Sequence, residues 1–333
     1  MKPHRPLIDS FGRCHDSLRI SVTDRCNIRC FYCMPETGVQ FLPKTELLTF
    51  EEITRFTRVA ASLGIKKIRL TGGEPLVRAG LPDLVGQLSE IDGIEDLALT
   101  TNGLLLSEYA EPLRDAGMKR LNISLDGLSE KTFQRISRRT GLQKVLDGIE
   151  KAIDVGFKNI RLNAVSIAGI TESEIVPLAK YAQAKDLELR FIEFMPLDAD
   201  ESWENQKVLS GESIKQVLES EFGELNQVVG IDPSQPSVDY EFEVSGARIG
   251  FINPVTQPFC SNCNRLRITS EGQIRNCLFS TTEWDVRRIL RGTGSDKDIE
   301  ELMRDCVTHK KIAHGIDTDH FQRPEKSMFQ IGG

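Results

Sequence analysis

Short β-rich runs alternate with longer stretches of helical periodicity between residues 17 and 195, and this order is the strongest constraint on the fold. Parallel strands joined by crossover helices produce such an alternation. Each run is mostly apolar and rich in Ile, Leu or Val, as burial on both faces of a parallel sheet requires. We predict six strands, over Leu18–Thr23, Lys67–Thr71, Asp96–Thr101, Arg120–Leu125, Asn159–Ile167 and Glu188–Met195.

Six β–α units are too few for a closed eightfold barrel, so the sequence predicts an α/β protein built as an open barrel or a doubly wound sheet. In both architectures the ligand-binding loops follow the carboxyl ends of the strands. We therefore expect the site at four polar runs that follow predicted strands, Thr71–Pro75, Thr100–Gly103, Ser124–Gly127 and Phe194–Pro196.

Two helices are predicted to begin at capping boxes, in which a Thr and a Glu three residues later satisfy each other's backbone N–H groups. Thr49 and Glu52 form the first pattern, ahead of an apolar stripe that starts at Ile53. Thr171 and Glu174 form the second pattern. We expect both pairs to cap the helices that follow them.

The pattern changes after about residue 225. A polar stretch that contains prolines, Asp232–Ser237, is typical of a linker or loop. Two hairpins and then two helical segments are predicted beyond it, over Glu241–Ile252, Arg265–Leu278, 282–292 and 297–306. Because 333 residues exceed one typical domain, we predict a partial β/α barrel over residues 1–225 and a smaller C-terminal α+β region over residues 226–333.

The charge balance argues against a general polyanion-binding surface. The chain has 42 Lys and Arg against 49 Asp and Glu, a net charge of −7, so neither nucleic acid nor a membrane is expected as a partner. Residues Met1–Arg19 lack the apolar segment of a signal peptide, and no stretch of about 18 apolar residues occurs elsewhere. We expect a soluble, cytoplasmic protein.

Six of the eight cysteines fall into two tight groups, and Cys14 and Cys306 stand apart. The groups are Cys26, Cys30 and Cys33, and Cys260, Cys263 and Cys277. Disulfides are not expected, because the cytosol keeps thiols reduced. Three thiolates leave one iron of a cubane iron–sulfur cluster open to an external ligand, whereas structural zinc requires four closed ligands. On spacing alone, a zinc site completed from elsewhere remains an alternative for each group, with Cys306 as the candidate fourth ligand of the second.

The run Cys26–Cys33, with the sequence Cys-Asn-Ile-Arg-Cys-Phe-Tyr-Cys, resembles the cluster loop of the radical S-adenosylmethionine (SAM) superfamily. Gly72-Gly73-Glu74-Pro75 resembles a second motif of that superfamily. The resemblance implies an open, partial β/α barrel with a [4Fe–4S] cluster on the first cysteine group and SAM at its open iron. Glycines would let the backbone approach the ligand closely. The implied SAM contacts are Tyr32, Gly73, Glu74, Ser124 and Met195.

The second cysteine group lies in Pro258–Arg267 and Arg275–Phe279, two runs similar to the C-terminal part of the GTP 3′,8-cyclases of molybdenum cofactor biosynthesis. The terminal Gly332-Gly333 matches that family's diglycine, and the resemblance extends over about residues 12 to 333. It implies a second [4Fe–4S] cluster on Cys260, Cys263 and Cys277, whose open iron meets the guanine of GTP.

The same resemblance implies roles for single residues. The implied GTP contacts are Arg19, Arg69, Thr100, Arg161, Arg190, Arg265, Leu266 and Arg267, and the implied catalytic residues are Arg19, Gly332 and Gly333. Arg161 departs from the family, which usually has lysine there, and it replaces a compact ammonium with a planar fork of the same charge. The chain has neither a P-loop nor a dinucleotide fingerprint, so arginines on strands are expected to bind the triphosphate.

The implied enzyme is a lyase that uses radical SAM chemistry to convert GTP to 3′,8-cyclo-7,8-dihydro-GTP. Its product would pass to cyclic pyranopterin monophosphate synthase, an electron donor would reduce it, and it would act as a monomer or a homodimer. Two alternatives remain at this point: another radical SAM enzyme with an auxiliary cluster, such as a peptide maturase, and a non-catalytic zinc-binding module.

Overall fold

The computed structural model describes residues 5–229, 232–316, 318–319 and 321–332. All six predicted strands form, each within two residues of its predicted bounds. They are β1 (Ser17–Ser21), β2 (Lys67–Thr71), β3 (Asp96–Thr101), β4 (Arg120–Ser124), β5 (Ile160–Ser166) and β6 (Glu188–Glu193). They pair in sequence order and run parallel throughout, which confirms the predicted α/β architecture.

Helices connect the parallel strands and bury their apolar faces in one continuous core with the sheet. This core excludes water from one face of every strand and leaves the opposite face free to line a cavity. The helices of this part are α1 (Phe50–Ser62), α2 (Leu81–Ser89), α3 (Leu106–Asp115), α4 (Glu130–Ser137), α5 (Leu142–Asp154), α6 (Ile175–Ala184) and α7 (Gly211–Phe222). Three more follow near the end of the chain, α8 (Arg287–Arg291), α9 (Asp296–Thr308) and α10 (Met328–Ile331).

Strands from the last third of the chain extend the sheet at both of its edges. The C-terminal strands are β7 (Leu225–Gln227), β8 (Val238–Phe242), β9 (Arg248–Ile252), β10 (Arg265–Ile268), β11 (Gln273–Arg275) and β12 (Trp284–Asp285). Strand β10 pairs parallel with β1, and β9 pairs parallel with β6, so the order in the described residues is β12-β11-β10-β1-β2-β3-β4-β5-β6-β9-β8-β7. The sheet is open, as predicted, while the division into domains at residue 225 stays a prediction.

Both predicted hairpins are confirmed, because β8 pairs antiparallel with β9 and β10 pairs antiparallel with β11. The helical prediction for residues 282–292 is wrong over its first half. There Trp284 pairs with Ile274 and forms the edge strand β12, and the helix α8 covers only Arg287–Arg291. Pairing with an available sheet edge overrides local helical preference at this position.

The first predicted capping box is confirmed. The Thr49 hydroxyl accepts from the Glu52 N–H, and the Glu52 carboxylate accepts from the Thr49 N–H at 2.7 Å. The second is wrong, since Thr171 accepts instead from the Ile167 N–H at 2.8 Å. Glu174 is drawn away by the loop after β4, where its carboxylate accepts from backbone and hydroxyl donors of residues 128 and 129.

Period-two alternation places arginines on the free face of three neighbouring strands. In β1 the side chains of Leu18 and Ile20 enter the core, so Arg19 between them points the opposite way. Register pairs Arg19 with Arg69 of β2 on one side and with Arg267 of β10 on the other. Three guanidinium groups therefore stand side by side on the inner face of the sheet.

No helix in the described ranges is both long enough and apolar enough to cross a lipid bilayer.

Candidate active site

A large cavity lies on the inner face of the sheet, at the carboxyl ends of its parallel strands. The four polar runs expected at these strand ends all contribute to its wall. All six cysteines of the two groups also line it: Cys26, Cys30, Cys33, Cys260, Cys263 and Cys277. The fold therefore brings together two cysteine groups that are separated by more than 200 residues in the sequence.

The first cysteine loop follows β1 and is held by the glycine motif after β2. The Gly73 N–H donates to the Thr23 carbonyl, and the Glu74 N–H donates to the Arg25 carbonyl, both at 2.7 Å. A Cβ atom at Gly73 would overlap the Arg25 carbonyl oxygen. The glycines are thus required by close approach to the backbone that leads into Cys26, which differs from the expected close approach to a ligand.

Glu74 joins the loops after β2 and β3. Its carboxylate accepts from the Leu76 N–H at 3.0 Å, from the Thr101 hydroxyl at 2.8 Å and from the Asn102 N–H at 2.7 Å. Burial nevertheless raises the pKa of Glu74 to about 7. Asn102 lies in the predicted run Thr100–Gly103, but no role of its own was predicted, and its side-chain amide donates to Asn27 in the cysteine loop at 2.7 Å.

Tyr32 connects the cysteine loop to the loop after β4. Its hydroxyl donates to Asp126 at 2.7 Å, and the other carboxylate oxygen of Asp126 accepts from the Val165 N–H at 2.8 Å. Burial raises the pKa of Asp126 to about 6 and raises that of Tyr32 well above its ordinary value. Asp126 was not singled out as a site residue, because its partner lies 94 residues away in the sequence.

Burial makes the thiolate forms of the first three cysteines unfavourable unless a positively charged partner binds them. Burial raises the pKa of Cys26 to about 11, and it raises the pKa values of Cys30 and Cys33 further. Free thiolates are therefore disfavoured here, and positively charged iron is the kind of partner that would stabilise them. Tyr32, Gly73, Glu74, Ser124 and Met195 line the cavity around this group.

The second cysteine group has cationic neighbours of its own. The Arg265 guanidinium and the Lys310 ammonium each lie 3.4 Å from the sulfur of Cys263. Burial alone would raise the pKa of Cys263, but these two charges lower it to about 6. The Cys260 carbonyl accepts from Arg13 at 2.7 Å. Lys310 and Arg13 were not predicted, because neither belongs to a local motif.

The thiols of each group do not converge on a single point. In the part of the chain that the structure describes, no three or more Cys, His, Asp and Glu side chains are close enough to share one metal ion. All six cysteines are free thiols. Each thiolate of a four-iron cluster binds a separate iron, so a cluster does not require its ligands to meet at one atom.

Several cavity arginines lack a counter-ion. The guanidinium groups of Arg19 and Arg69 form no hydrogen bond or ion pair with any residue in the described ranges, although Arg190 is paired with Glu188. Burial and repulsion between neighbouring guanidiniums lower the pKa values of Arg19 and Arg69 well below their usual range. A buried guanidinium without a counter-ion is costly, so this part of the cavity requires an anionic ligand.

The remaining predicted residues lie in different places. Thr100 lines the cavity, and its buried hydroxyl has no partner among the described residues. Arg161 instead faces a smaller cavity near the amino ends of the strands and is paired with Glu188 at 2.8 Å. The Leu266 side chain lies in the core, so only its backbone faces the site. Arg267 donates to the Gly332 carbonyl at 2.6 Å, while Gly333 lies outside the described residues.

The two cysteine groups fall within the matches to two different family models. Residues 20–182 match the model of the radical SAM superfamily, and residues 187–316 match the model for molybdenum cofactor synthesis, C-terminal part. The GTP 3′,8-cyclase of Rhodopirellula baltica is 50% identical over 98% of this chain and 92% of its own length. The GTP 3′,8-cyclase of Alkaliphilus metalliredigens is 40% identical over 98% of this chain and 99% of its own length.

Solved structures share the fold at much lower identity. Streptococcus suis SuiB bound to S-adenosylmethionine has a TM-score of 0.60 at 15% identity, over 94% of this chain and 68% of that one. The structure of anSMEcpe with bound AdoMet has a TM-score of 0.58 at 16% identity, over 93% of both chains. At these identities the likeness extends to the architecture alone.

Proposed function

The chain belongs to the GTP 3′,8-cyclases of the radical SAM superfamily, and from this premise we propose how its own residues carry out the reaction. The protein is a lyase of molybdenum cofactor biosynthesis that converts GTP to 3′,8-cyclo-7,8-dihydro-GTP. Membership of the superfamily implies one [4Fe–4S] cluster and SAM. The observation that carries the assignment of residues is the single cavity that both cysteine groups share with unpaired arginines.

Cys26, Cys30 and Cys33 would hold the cluster that cleaves SAM. When bound, the reduced cluster and SAM supply a 5′-deoxyadenosyl radical that can remove the 3′ hydrogen of the GTP ribose. The Glu74 carboxylate would accept from the ammonium of SAM, and this contact is supported by its position in the cavity wall. Tyr32 is fixed by Asp126, which supports a role in keeping SAM oriented beside the cysteine loop.

Further SAM contacts are assigned to three residues of the same wall, Gly73, Ser124 and Met195. They follow β2, β4 and β6, so they surround the position of SAM from separate strand ends. Residues on rigid strand ends hold a reactive group in place better than a single long loop would, which matters when a radical must meet one hydrogen.

Cys260, Cys263 and Cys277 would hold a second [4Fe–4S] cluster. A cluster there would supply an iron site for the guanine of GTP, and these three cysteines would fix the position of the base. The two cations beside Cys263 support this assignment, since they favour a ligand in the thiolate form. The presence of both cysteine groups in the wall of one cavity supports a substrate held between them.

The triphosphate would lie over the arginines of the inner sheet face. Arg19, Arg69 and Arg190 line both cavities, so they can reach an extended anion from two sides. Arg265 and Arg267 would complete the triphosphate-binding site on the β10 side. The Thr100 hydroxyl, which has no partner among the described residues, would donate to the triphosphate. Arg161 keeps the positive charge of the family's lysine in the smaller cavity, and Leu266 would contribute only backbone atoms.

The C-terminal diglycine would act together with Arg19. Support comes from the Gly332 carbonyl, which accepts from Arg267, the register neighbour of Arg19. A Cβ atom at Gly332 would lie 2.8 Å from Thr71 and from Ser21, so only glycine fits between the ends of β1 and β2. The role of Gly333 remains a prediction from the family.

Other proposals follow from the family without a test in this structure. The product would pass to cyclic pyranopterin monophosphate synthase, an external donor would supply the electron, and the protein would work in the cytoplasm as a monomer or homodimer. Residues 1–225 would form the radical SAM barrel, and residues 226–333 would form the region for the auxiliary cluster and substrate.

The direct test is anaerobic incubation of reconstituted protein with GTP, SAM and a reductant, followed by mass analysis of the nucleotide. Cys263→Ser should keep part of the SAM cleavage and lose the cyclised product, because it leaves the first cysteine group intact. Cys14→Ser, at an exposed cysteine, is the matched control and should match the unmodified protein. Normal cyclised product from Cys263→Ser would refute the assignment.

A further inference from the structure

Lys310 carries a buried positive charge without a carboxylate partner. The residue is only 5% exposed, and its ammonium forms no ion pair with an Asp or Glu of the described ranges. The ammonium donates to the Arg265 carbonyl at 2.9 Å and to the Cys263 sulfur at 3.4 Å. A buried ammonium is costly unless a negative charge offsets it, and a carbonyl alone does not supply one.

The neighbours of Lys310 make the imbalance larger. The Arg265 guanidinium approaches the same sulfur with two of its nitrogens, each at 3.4 Å. Two cations therefore converge on one partly buried thiol. A neutral thiol is only a weak hydrogen-bond acceptor and carries no charge to offset them. A thiolate at Cys263 would offset one of the two positive charges.

The position of Lys310 is fixed by the end of helix α9. Its backbone N–H donates to the Val307 carbonyl at 3.0 Å in the last turn, where the helix dipole also favours a cation. The side chain does not belong to the cavity wall, so it does not reach the substrate space. Lys310 can therefore influence chemistry in the cavity only through Cys263 and the backbone of Arg265.

We propose that Lys310 is the counter-charge to the Cys263 thiolate and sets the reduction equilibrium of the iron–sulfur cluster bound by the second cysteine group. This inference rests on the proposed function, which assigns that cluster to Cys260, Cys263 and Cys277. A cation beside a ligating sulfur stabilises the reduced cluster, which carries one more negative charge. Lys310 is a positioning residue: it acts through a ligand and touches neither substrate nor iron.

The test is a redox titration of the reconstituted holoenzyme followed by electron paramagnetic resonance. Lys310→Met removes the charge and keeps most of the length. It should shift the one-electron reduction equilibrium of the second cluster about tenfold toward the oxidised form, about 59 mV. Lys310→Arg should keep the original equilibrium within about threefold, a smaller shift on the same scale. Lys311→Met, at the exposed neighbouring lysine, should leave it unchanged.

The signals are assigned by repeating the titration in a background with Cys26, Cys30 and Cys33 replaced by Ala, which retains only the second cluster. An unshifted equilibrium in Lys310→Met overturns the inference. If that variant loses the second cluster's iron, Lys310→Arg decides. Iron retained in Lys310→Arg supports a role for charge, and iron lost in both variants overturns it. Unmodified protein that binds only one cluster would instead refute the proposed function, and this inference with it.

Discussion

Single residues in this site are constrained by partners that come from distant parts of the chain. Glu74 illustrates this, because three donors hold its carboxylate while burial raises its pKa to about 7. A carboxyl with a pKa near neutrality changes its charge between about pH 6 and pH 8. Its attraction for the ammonium of SAM therefore depends on pH.

The affinity for SAM should fall by up to about tenfold per pH unit as the pH drops below about 7, because Glu74 gains a proton and loses its charge. Binding strength is fully present above that pH. Glu74→Gln should bind SAM weakly with no such pH dependence. Equilibrium dialysis of the reconstituted protein at several pH values checks this, and an equally steep dependence in Glu74→Gln would contradict it.

Substitution of Arg69, again a single residue, tests the proposed triphosphate-binding site. Removing one charge-assisted contact to the triphosphate costs about 1.5–3 kcal/mol, so Arg69→Met should raise the Kd for GTP by about tenfold or more. Arg69→Lys should recover part of the affinity because it restores the charge. Arg288→Met, at an arginine whose side chain is 87% exposed, is the control and should bind GTP normally. Titration calorimetry with GTP measures the affinity of all three variants. Unchanged affinity in Arg69→Met would exclude the proposed triphosphate-binding site.

At the scale of elements, the loops after β2 and β3 act as a brace for the first cysteine loop. Backbone hydrogen bonds from Gly73 and Glu74 reach the residues just before Cys26. The space between these two segments is too small for a side chain at Gly73. The cysteine loop therefore depends on the glycine motif for its shape.

Gly73→Ala should displace the first cysteine loop and, with the two clusters of the proposed function, reduce bound iron by about half. Gly86→Ala is the matched control, since a Cβ atom there has no neighbour within 4 Å and alanine favours the helix α2. Iron and sulfide analysis after anaerobic reconstitution measures the difference. Full iron content in Gly73→Ala would show that the loop tolerates the shift.

Local sequence patterns predicted most of the strands and helices, but they did not predict the contacts between residues far apart in the sequence. The six strands could be predicted because apolar alternation is a short-range pattern, and the Thr49 cap because its partner is three residues away. The Thr171 cap failed because its Glu174 binds the loop after β4. Lys310 and the contact made by Asn102 were missed for the same reason, since each residue contacts a cysteine loop more than 40 residues away.

For the whole molecule, the two ends of the chain meet at the second cysteine group. Arg13 donates to the carbonyls of Cys260, Lys311 and Ile312 and is paired with the buried Asp9 at 2.6 Å. One N-terminal side chain therefore joins two C-terminal backbone segments, at residue 260 and at residues 311–312. Such a contact makes the auxiliary site depend on the first residues of the chain.

Under the proposed function, Arg13→Met should lose the cluster assigned to the second cysteine group while the first remains. The Cys260 turn loses its anchor, and the buried Asp9 loses its guanidinium partner and keeps only hydrogen bonds such as the one with His15 at 3.1 Å. Breaking a buried pair costs about 3–5 kcal/mol, so a lower Tm is expected as well. Arg304→Met, which gives up exposed contacts to the carbonyls of Arg5 and Pro6, is the control. Iron analysis and thermal unfolding follow both variants, and a full complement of iron in Arg13→Met would contradict the prediction.

The parallel sheet receives its outer neighbours, β9 and β10, only from residues 248–268. During synthesis the ribosome therefore releases β1 to β6 with both edges unpaired, because the N-terminal part emerges first. Open strand edges recruit other chains and promote aggregation. A nascent chain of this protein therefore exposes two unpaired strand edges, at β1 and at β6, until its last third has emerged.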